Sequence, residues 1–458
     1  MTNLWSGRFD TAPDAAAFAF GASFRFDRRL FADDVTGSLA WARALAKANV
    51  LSADDARAIE RTLTEILEQG LANPDFVAGA DEDVHSFVER QLVERLGDAG
   101  RRLHTGRSRN EQVSLDLRLY LRRRIPSLQQ GIAGLVEALS SQASMAGDSL
   151  MPSYTHFRPA QPVLVAHFFL AHVAPLRRDF ERLTAARGEA DALPLGSGAI
   201  AGTSYAIDVE TLARDLGFSR IVANSIDASS DRDFAASFLY AGALTMVHLS
   251  RLAEDLIIFS GDEHRFFELS DALSTGSSMM PQKKNPDPLE LVRGKSGRAL
   301  GHLVALLAAI KGLPSGYNKD LQEDKESVFD AEDTLAGSLA VVRSVVAGLT
   351  LNRDRAESAA SGLLLATDVA DYLVGRGVPF RRAHEIVGAL VRKLHSEGRH
   401  FESLSFDEWR ASSELFDKDV VGRVAPGASV AAKTTPQSTA PAAVHAHLAE
   451  VQRWLQGL

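Results

Sequence analysis

Val113-Ser-Leu-Asp-Leu-Arg-Leu-Tyr-Leu-Arg-Arg-Arg-Ile-Pro-Ser-Leu-Gln-Gln-Gly-Ile-Ala-Gly-Leu-Val-Glu-Ala-Leu139 carries apolar side chains at positions 113, 117, 121, 125, 128, 132, 135 and 139. Steps of three and four residues put all eight on one face of an α-helix, which returns to the same side every 3.6 residues. The same spacing recurs from Ala166 to Leu183, Phe234 to Phe259, Leu289 to Ile310 and Leu335 to Leu349. Strict alternation bounded by turn residues, the mark of half-buried strands, is scarce. The pattern predicts an all-α chain whose five long helices, between 106 and 350, form a bundle. Stripes this long bury more completely against a second copy than alone.

Punctuation divides the chain. Pro126 lies inside the first stripe and predicts a kink or break. Met151-Pro152 and Gln161-Pro162 bracket the start of the second helix, and Leu193-Pro-Leu-Gly-Ser-Gly198 reads as a loop. Ser230 with Asp233 resembles a capping box opening the third helix. Pro286 and Pro288 suit the first turn of the fourth. Residues 1–105 read as a mainly helical N-terminal domain, 106–355 as the five-helix bundle and 356–458 as a small helical C-terminal domain.

Composition excludes several classes. Hydrophobic residues at 45% and charged residues at 24% are ordinary for a globular protein, and the length of 458 suits two or three domains. A formal charge of -9 argues against broad nucleic-acid binding, though not against a small anionic substrate. The chain has no cysteine, which removes disulfides, thiolate metal sites and cysteine nucleophiles together. No run of about 18 apolar residues predicts a membrane span. The first ten residues lack a basic region followed by an apolar one, so a cytoplasmic location is expected.

Four polar clusters interrupt the helical pattern. Ser274-Thr-Gly-Ser-Ser-Met-Met-Pro-Gln-Lys-Lys-Asn-Pro-Asp-Pro288 joins hydroxyls at Ser277 and Ser278 to Lys283, Lys284 and the Asn285 amide. A loop offering a proton-transfer hydroxyl beside fixed cations suits chemistry on a carboxylated substrate. Leu103-His-Thr-Gly-Arg-Ser-Arg-Asn-Glu-Gln112 gathers Arg107, Arg109 and Asn110 at a helix start, where backbone N–H groups favour anions. Ser153-Tyr-Thr-His-Phe-Arg-Pro-Ala-Gln-Pro162 places Thr155 and His156 in a polar turn. Histidine is the commonest general acid or base, although a lone one is more often structural. Gly316-Tyr-Asn-Lys-Asp-Leu-Gln-Glu-Asp-Lys-Glu326 carries Tyr317, Gln322 and Lys325, and Asp81-Glu-Asp-Val-His85 adds a further histidine. No His-Glu-x-x-His, calcium loop, dinucleotide fingerprint or serine elbow is present, so neither metal nor nucleotide cofactor is expected.

Taken together, the chain resembles the argininosuccinate lyase family of the fumarase/aspartase superfamily. The resemblance runs from Leu4-Trp-Ser-Gly-Arg-Phe9 almost to the C-terminus. It is most specific at Thr105–Val113, Tyr154–Pro162, Gly276–Asp287 and Gly312–Lys325. It implies a three-domain all-α fold whose central helices form the core of a homotetramer, with active sites shared between subunits. It implies cofactor-free cleavage of L-argininosuccinate to L-arginine and fumarate, the last step of arginine biosynthesis. Carried onto this sequence, Ser277 is the base and His156 the acid, acting directly or through water. Glu290 orients His156, while Lys283 and Asn285 stabilise the carbanion-like intermediate. Ser23, Asn110, Thr155, Tyr317, Gln322 and Lys325 match substrate-binding positions, with Arg109 and His85 beside them. The choice of Ser277 over Ser278 rests on that resemblance alone.

Three departures stand out. Phe157-Arg158-Pro159 replaces the usual Leu-Gln-Arg after the histidine, Gly106 replaces an alanine, and Gln437-Ser438 replaces Gly-Gly. None removes a residue assigned to chemistry. Two alternatives follow from the same resemblance: a sister lyase releasing fumarate from aspartate, adenylosuccinate or malate, and a crystallin-like homologue without activity. The Lys283-Lys284-Asn285 triplet speaks against the first and the full residue set against the second.

Overall fold

In the computed structural model, residues 14–458 are described, so the Leu4–Phe9 motif and the first ten residues lie outside them. Helix dominates. The five predicted long helices are α1 (Arg109–Ala146), α2 (Val165–Ala190), α3 (Asp233–Ser260), α4 (Asp287–Ile310) and α5 (Glu323–Ala347). Among the described residues no helix is long and apolar enough to cross a membrane.

Two local expectations are corrected, and of the expected kink or break at Pro126 the break is excluded. Pro126 lies within α1 and does not break it. Proline forfeits one backbone bond, but Ile125 and Leu128 on either side are fully buried, and that packing keeps the helix continuous. At the start of α3 the cap is Asp231, whose Oδ1 accepts the Asp233 N–H at 2.7 Å. Ser230 instead closes the preceding Ser225–Ser230 helix, its hydroxyl donating to the Ile226 carbonyl at 3.2 Å. The segment before α2 is a hairpin: β1 (Leu150–Thr155) pairs antiparallel with β2 (Arg158–Leu164). Pro152 faces Pro162 across this two-stranded ribbon, which tolerates proline because its edges need no further partner.

The turn of that hairpin has strained backbone. Thr155 pairs with Arg158, leaving His156 and Phe157 as a two-residue connection. Their φ angles are 54° and 56°, the left-handed geometry of a type I′ turn, which normally selects Asn-Gly. The ribbon is held from below. Tyr154 packs on Phe259 at 5.4 Å and edge-on to His264 at 5.6 Å, and the Leu164 N–H donates to Thr439 at 2.8 Å.

The chain forms two compact units. The first comprises the described residues up to Gln129, together with Glu181–Leu244 and Gly297–Leu335. Its core includes Trp41, Ile59, Leu63 and Phe87, and Phe24 stacks on Phe87 at 5.3 Å. Trp41 Nε1 donates to the Thr105 carbonyl at 3.2 Å, tying the core to the segment ahead of α1. Glu332 is a buried carboxylate on α5. It accepts from Tyr120 at 3.0 Å, from Arg124 Nε at 3.1 Å and from Arg29.

The second unit comprises Gln130–Phe180, Thr245–Ser296 and Ala336–Leu458. Its C-terminal part is built around Trp409, which stacks on Phe401 at 5.8 Å and meets Phe416 at 4.9 Å, with Leu373, Leu390 and Leu394 around it. A second small ribbon pairs β3 (Thr275–Gly276) with β4 (Lys284–Asn285), so residues 277–283 form its loop.

Two stability predictions follow. Glu332→Gln removes the charge that Tyr120, Arg124 and Arg29 share; with both guanidiniums about one-third exposed and Arg29 still paired to Asp333, unfolding free energy should fall by about 1–2 kcal/mol in urea titration. Phe157→Gly removes a Cβ from a positive-φ position whose side chain is exposed. It should raise stability by about 1 kcal/mol in the same assay.

Candidate active site

The sequence-predicted residues fall into two groups of different character. Ser23, His85, Arg109, Asn110, Tyr317, Gln322 and Lys325 belong to the first unit. Most are buried or half-buried, and each side chain except Tyr317 is held by a named partner. Ser23 is buried and its hydroxyl donates to Asp27, whose other oxygen accepts the Val84 N–H at 3.0 Å. Asp83 caps the Val84–Leu96 helix by accepting the Ser86 N–H at 2.7 Å, and Arg109 donates to the same carboxylate. Burial pushes Asp83 up, but Arg109 and the other donors hold it below the usual carboxylate range.

Near the start of α5, Lys325 Nζ donates to Asp324 at 2.7 Å, and Arg232 donates to that carboxylate as well. Burial opposes the Asp324 charge, yet the two cations keep it below its ordinary value. Tyr317 is pushed up to about 12, chiefly by burial, and so stays a phenol that can donate. Gln322 Nε2 donates to the Gly21 carbonyl at 3.2 Å, and Asn110 Nδ2 to the Ala199 carbonyl at 3.1 Å. This cluster of the first unit therefore offers hydroxyl, amide and cationic groups already fixed by carboxylates or carbonyls.

His85 is enclosed. Its Nδ1 lies 2.8 Å from Asp34 and 3.4 Å from Asp116, both fully buried carboxylates. Among the described residues these three form the one group whose ligand atoms are close enough, within 4.8 Å, to surround an ion. The Asp34 carboxylate is held below its ordinary value despite burial, by His85 foremost; Asp116 is pushed well up by burial and by Asp34. A cavity of about 10 Å³, lined by His85, Asp34, Arg107 and Gln112, has room for one water molecule.

The second unit holds Thr155, His156, Ser277, Lys283, Asn285 and Glu290. Here the functional groups are mostly exposed. His156 stands at the tip of the strained β1–β2 turn, and Glu290 lies exposed in the first turn of α4. Among the described residues neither side chain makes a hydrogen bond or ion pair, so the structure of one chain does not bring them together.

The loop between β3 and β4 separates its two serines and its two lysines. Ser277 Oγ accepts the Met280 N–H at 3.0 Å and the Met279 N–H at 3.2 Å. Two converging N–H groups favour negative charge on that oxygen. Ser278 has no such donors and is exposed. Lys284 Nζ is occupied by Glu268 at 2.7 Å and Asp271 at 2.8 Å, which raise its pKa and anchor the loop. Lys283 has no ion-pair partner among the described residues, leaving its ammonium for a ligand. Thr275 donates to Asp287, bracing the base of the loop against α4.

Sequence reasoning missed the supporting carboxylates Asp27, Asp83 and Asp324: each has a partner distant in sequence, Val84, Arg109 and Arg232 respectively, that it meets only in the folded chain.

Comparison with known proteins identifies the family. A family described as lyase matches residues 7–301, and one described as argininosuccinate lyase C-terminal matches residues 363–431. The argininosuccinate lyase of Moorella thermoacetica is 48% identical, covering 99% of this chain and 98% of that protein. That of Roseiflexus castenholzii is also 48% identical, covering 99% of each. Among solved structures, EDDS lyase in complex with formate superposes with a TM-score of 0.87 at 26% identity, covering 98% of this chain and 91% of that one. The 3-carboxy-cis,cis-muconate lactonizing enzyme of Pseudomonas putida shares the fold, with a TM-score of 0.76 at 21% identity over 96% of this chain and 100% of that one. With both family matches in place and likeness running nearly end to end, the chain is an enzyme of the lyase class and belongs to the argininosuccinate lyase family.

Proposed function

We propose that this protein cleaves L-argininosuccinate to L-arginine and fumarate, supplying arginine for biosynthesis in the cytoplasm. The observation that carries the substrate assignment is the near-complete alignment with relatives named argininosuccinate lyase at 46–48% identity. The chemistry is an elimination. Ser277 removes the proton from the carbon beside a carboxylate. The electron pair left there becomes the double bond of fumarate as the C–N bond breaks. His156 gives a proton to the departing guanidinium nitrogen, and Glu290 orients it.

Charge flow explains the residue set. Proton removal pushes negative charge onto the adjacent carboxylate, and cations must already point there for the barrier to fall. Lys283, free of internal partners, and Asn285 serve that carboxylate. The two N–H groups on Ser277 supply what a serine needs to act as a base. Ser23, Asn110, Thr155, Tyr317, Gln322 and Lys325 bind the substrate, with Arg109 and His85 supporting them.

The same proposal includes the three-domain division at 105 and 355, and a homotetramer whose subunits share sites. Two features support assembly. His156 and Glu290 find no partner among the described residues of their own chain. Leu300, Val304 and Leu307 recur at four- and three-residue steps along α4, and are 44%, 65% and 46% exposed. Superfamily members acting as oligomers would cover such a stripe.

Purified protein given argininosuccinate should release fumarate. Ser277→Ala should cost about 10²–10³ in kcat while light scattering shows an unchanged oligomer, whereas Ser278→Ala should stay within several-fold of wild type. Lys283→Met should lose about as much as Ser277→Ala, and Lys284→Met distinctly less. Equal losses in the two serine variants would refute the assignment of Ser277.

A further inference from the structure

The catalytic assignments leave one buried acid unused. Glu111, in the first turn of α1, is fully buried, and both its oxygens are taken by backbone donors. Oε1 accepts the Ser108 N–H at 3.1 Å and Oε2 the Gly198 N–H at 3.0 Å. The Gly196 N–H also favours the charge of that carboxylate. Burial lifts this acid to about 7, while the three N–H groups and Arg107 pull it back.

The Gly196–Ala199 backbone that Glu111 grips has a conformation few residues tolerate. Gly196 and Gly198 have φ of 101° and 60°, and a Cβ on Gly198 would come 2.5 Å from the Gly202 carbonyl oxygen. Next to the gripped Gly198 stands Ala199, whose carbonyl accepts from Asn110 Nδ2 at 3.1 Å. Asn110 and Glu111 are consecutive, as are Gly198 and Ala199, so two adjacent ties join the two segments. A carbonyl can only accept, so it dictates which way the Asn110 amide faces. The Ala199 bond turns the NH2 toward the loop and leaves Oδ1 directed elsewhere.

We propose that Glu111 is a positioning residue, which acts through the Gly196–Ala199 backbone to set the orientation of the Asn110 amide toward substrate. The inference rests on the reading of Asn110 as a substrate-binding residue. Its mechanism needs an acceptor at both carboxylate oxygens. A glutamine keeps the size but presents an NH2 to one of the N–H donors, so the loop backs away and the amide loses its fixed carbonyl.

The test is a double-mutant cycle on the intact enzyme with argininosuccinate as substrate. Glu111→Gln should raise KM roughly tenfold with kcat within about twofold. In the Asn110→Ala background the same change should raise KM no further, because its route to substrate is already gone. A KM equal to wild type in Glu111→Gln, or a tenfold factor that multiplies with that of Asn110→Ala, overturns the proposal. Should the glutamine variant fail to fold, Glu111→Asp takes its place in the cycle, since it keeps the charge but not the reach. Absence of fumarate from wild type would instead mark failure of the functional assignment, and an unchanged KM in Asn110→Ala would mark failure of the Asn110 role. Each of these removes the premise and is distinct from a flat Glu111 result.

Discussion

A single carboxylate oxygen, Oδ1 of Asp83, joins two helix starts. It accepts the Ser86 N–H that caps the Val84–Leu96 helix and receives Arg109 at the opening of α1. Arg109 and the start of the Val84–Leu96 helix are fixed at that junction. The Val84 N–H, one residue on, goes to Asp27, and Asp27 in turn receives the Ser23 hydroxyl. Removing either member of the Asp83–Arg109 pair would strand a charge in a poorly hydrated place, at about 3–5 kcal/mol. The pair is thus less a source of net stability than a constraint on where three chain segments meet.

The second unit spends its stability differently. Of its three non-glycine residues in the left-handed region, each costing about 1–2 kcal/mol, two lie in the turn that presents His156. The Tyr154–Phe259–His264 contacts and the Thr439 bond make up for that strain by fixing the ribbon beneath it. A strained, outward-pointing imidazole with no local partner has no structural task that a glycine turn would not do better. The contrast between Lys283 and Lys284 has the same logic: one cation is consumed in holding the loop, and its neighbour is left free.

The long helices were legible because burial repeats every 3.6 residues, and that signal survives even Pro126. The polar clusters were legible because turn residues and charges interrupt the stripes. The hairpin was not, since Pro152, Pro159 and Pro162 break any alternating pattern and read as helix punctuation. Its strand pairing needs only a few ladder bonds, which proline at the non-bonded positions permits. The cap of α3 shifted by one residue, from Ser230 to Asp231, because a serine in a helix's last turn bonds backward to its own carbonyls. Ser108-x-x-Glu111 has the spacing of a capping box and was a usable signal for Glu111; its second task, gripping Gly198, depends on a loop nearly ninety positions away. The division between Ser277 and Ser278 also lay beyond the sequence, which shows two hydroxyls but not the N–H groups that single one out.

The pairing of the first unit's cations bears on which ligands it can receive. Lys325 stands against Asp324, Arg109 against Asp83, and Ser23 carries its proton to Asp27. A cluster of unpaired cations would bind any dianion and would hold fumarate as firmly as substrate. Cations already matched by carboxylates attract a bare anion weakly, since whatever the cation gains the carboxylate opposes. A ligand with both signs fits without that opposition: its carboxylate meets the ammonium or guanidinium, and its ammonium meets the acid. The α-amino acid end of argininosuccinate is such a group, and fumarate is not. Under the proposed substrate-binding role of these residues, internal pairing would favour a ligand carrying both charges over a bare dicarboxylate.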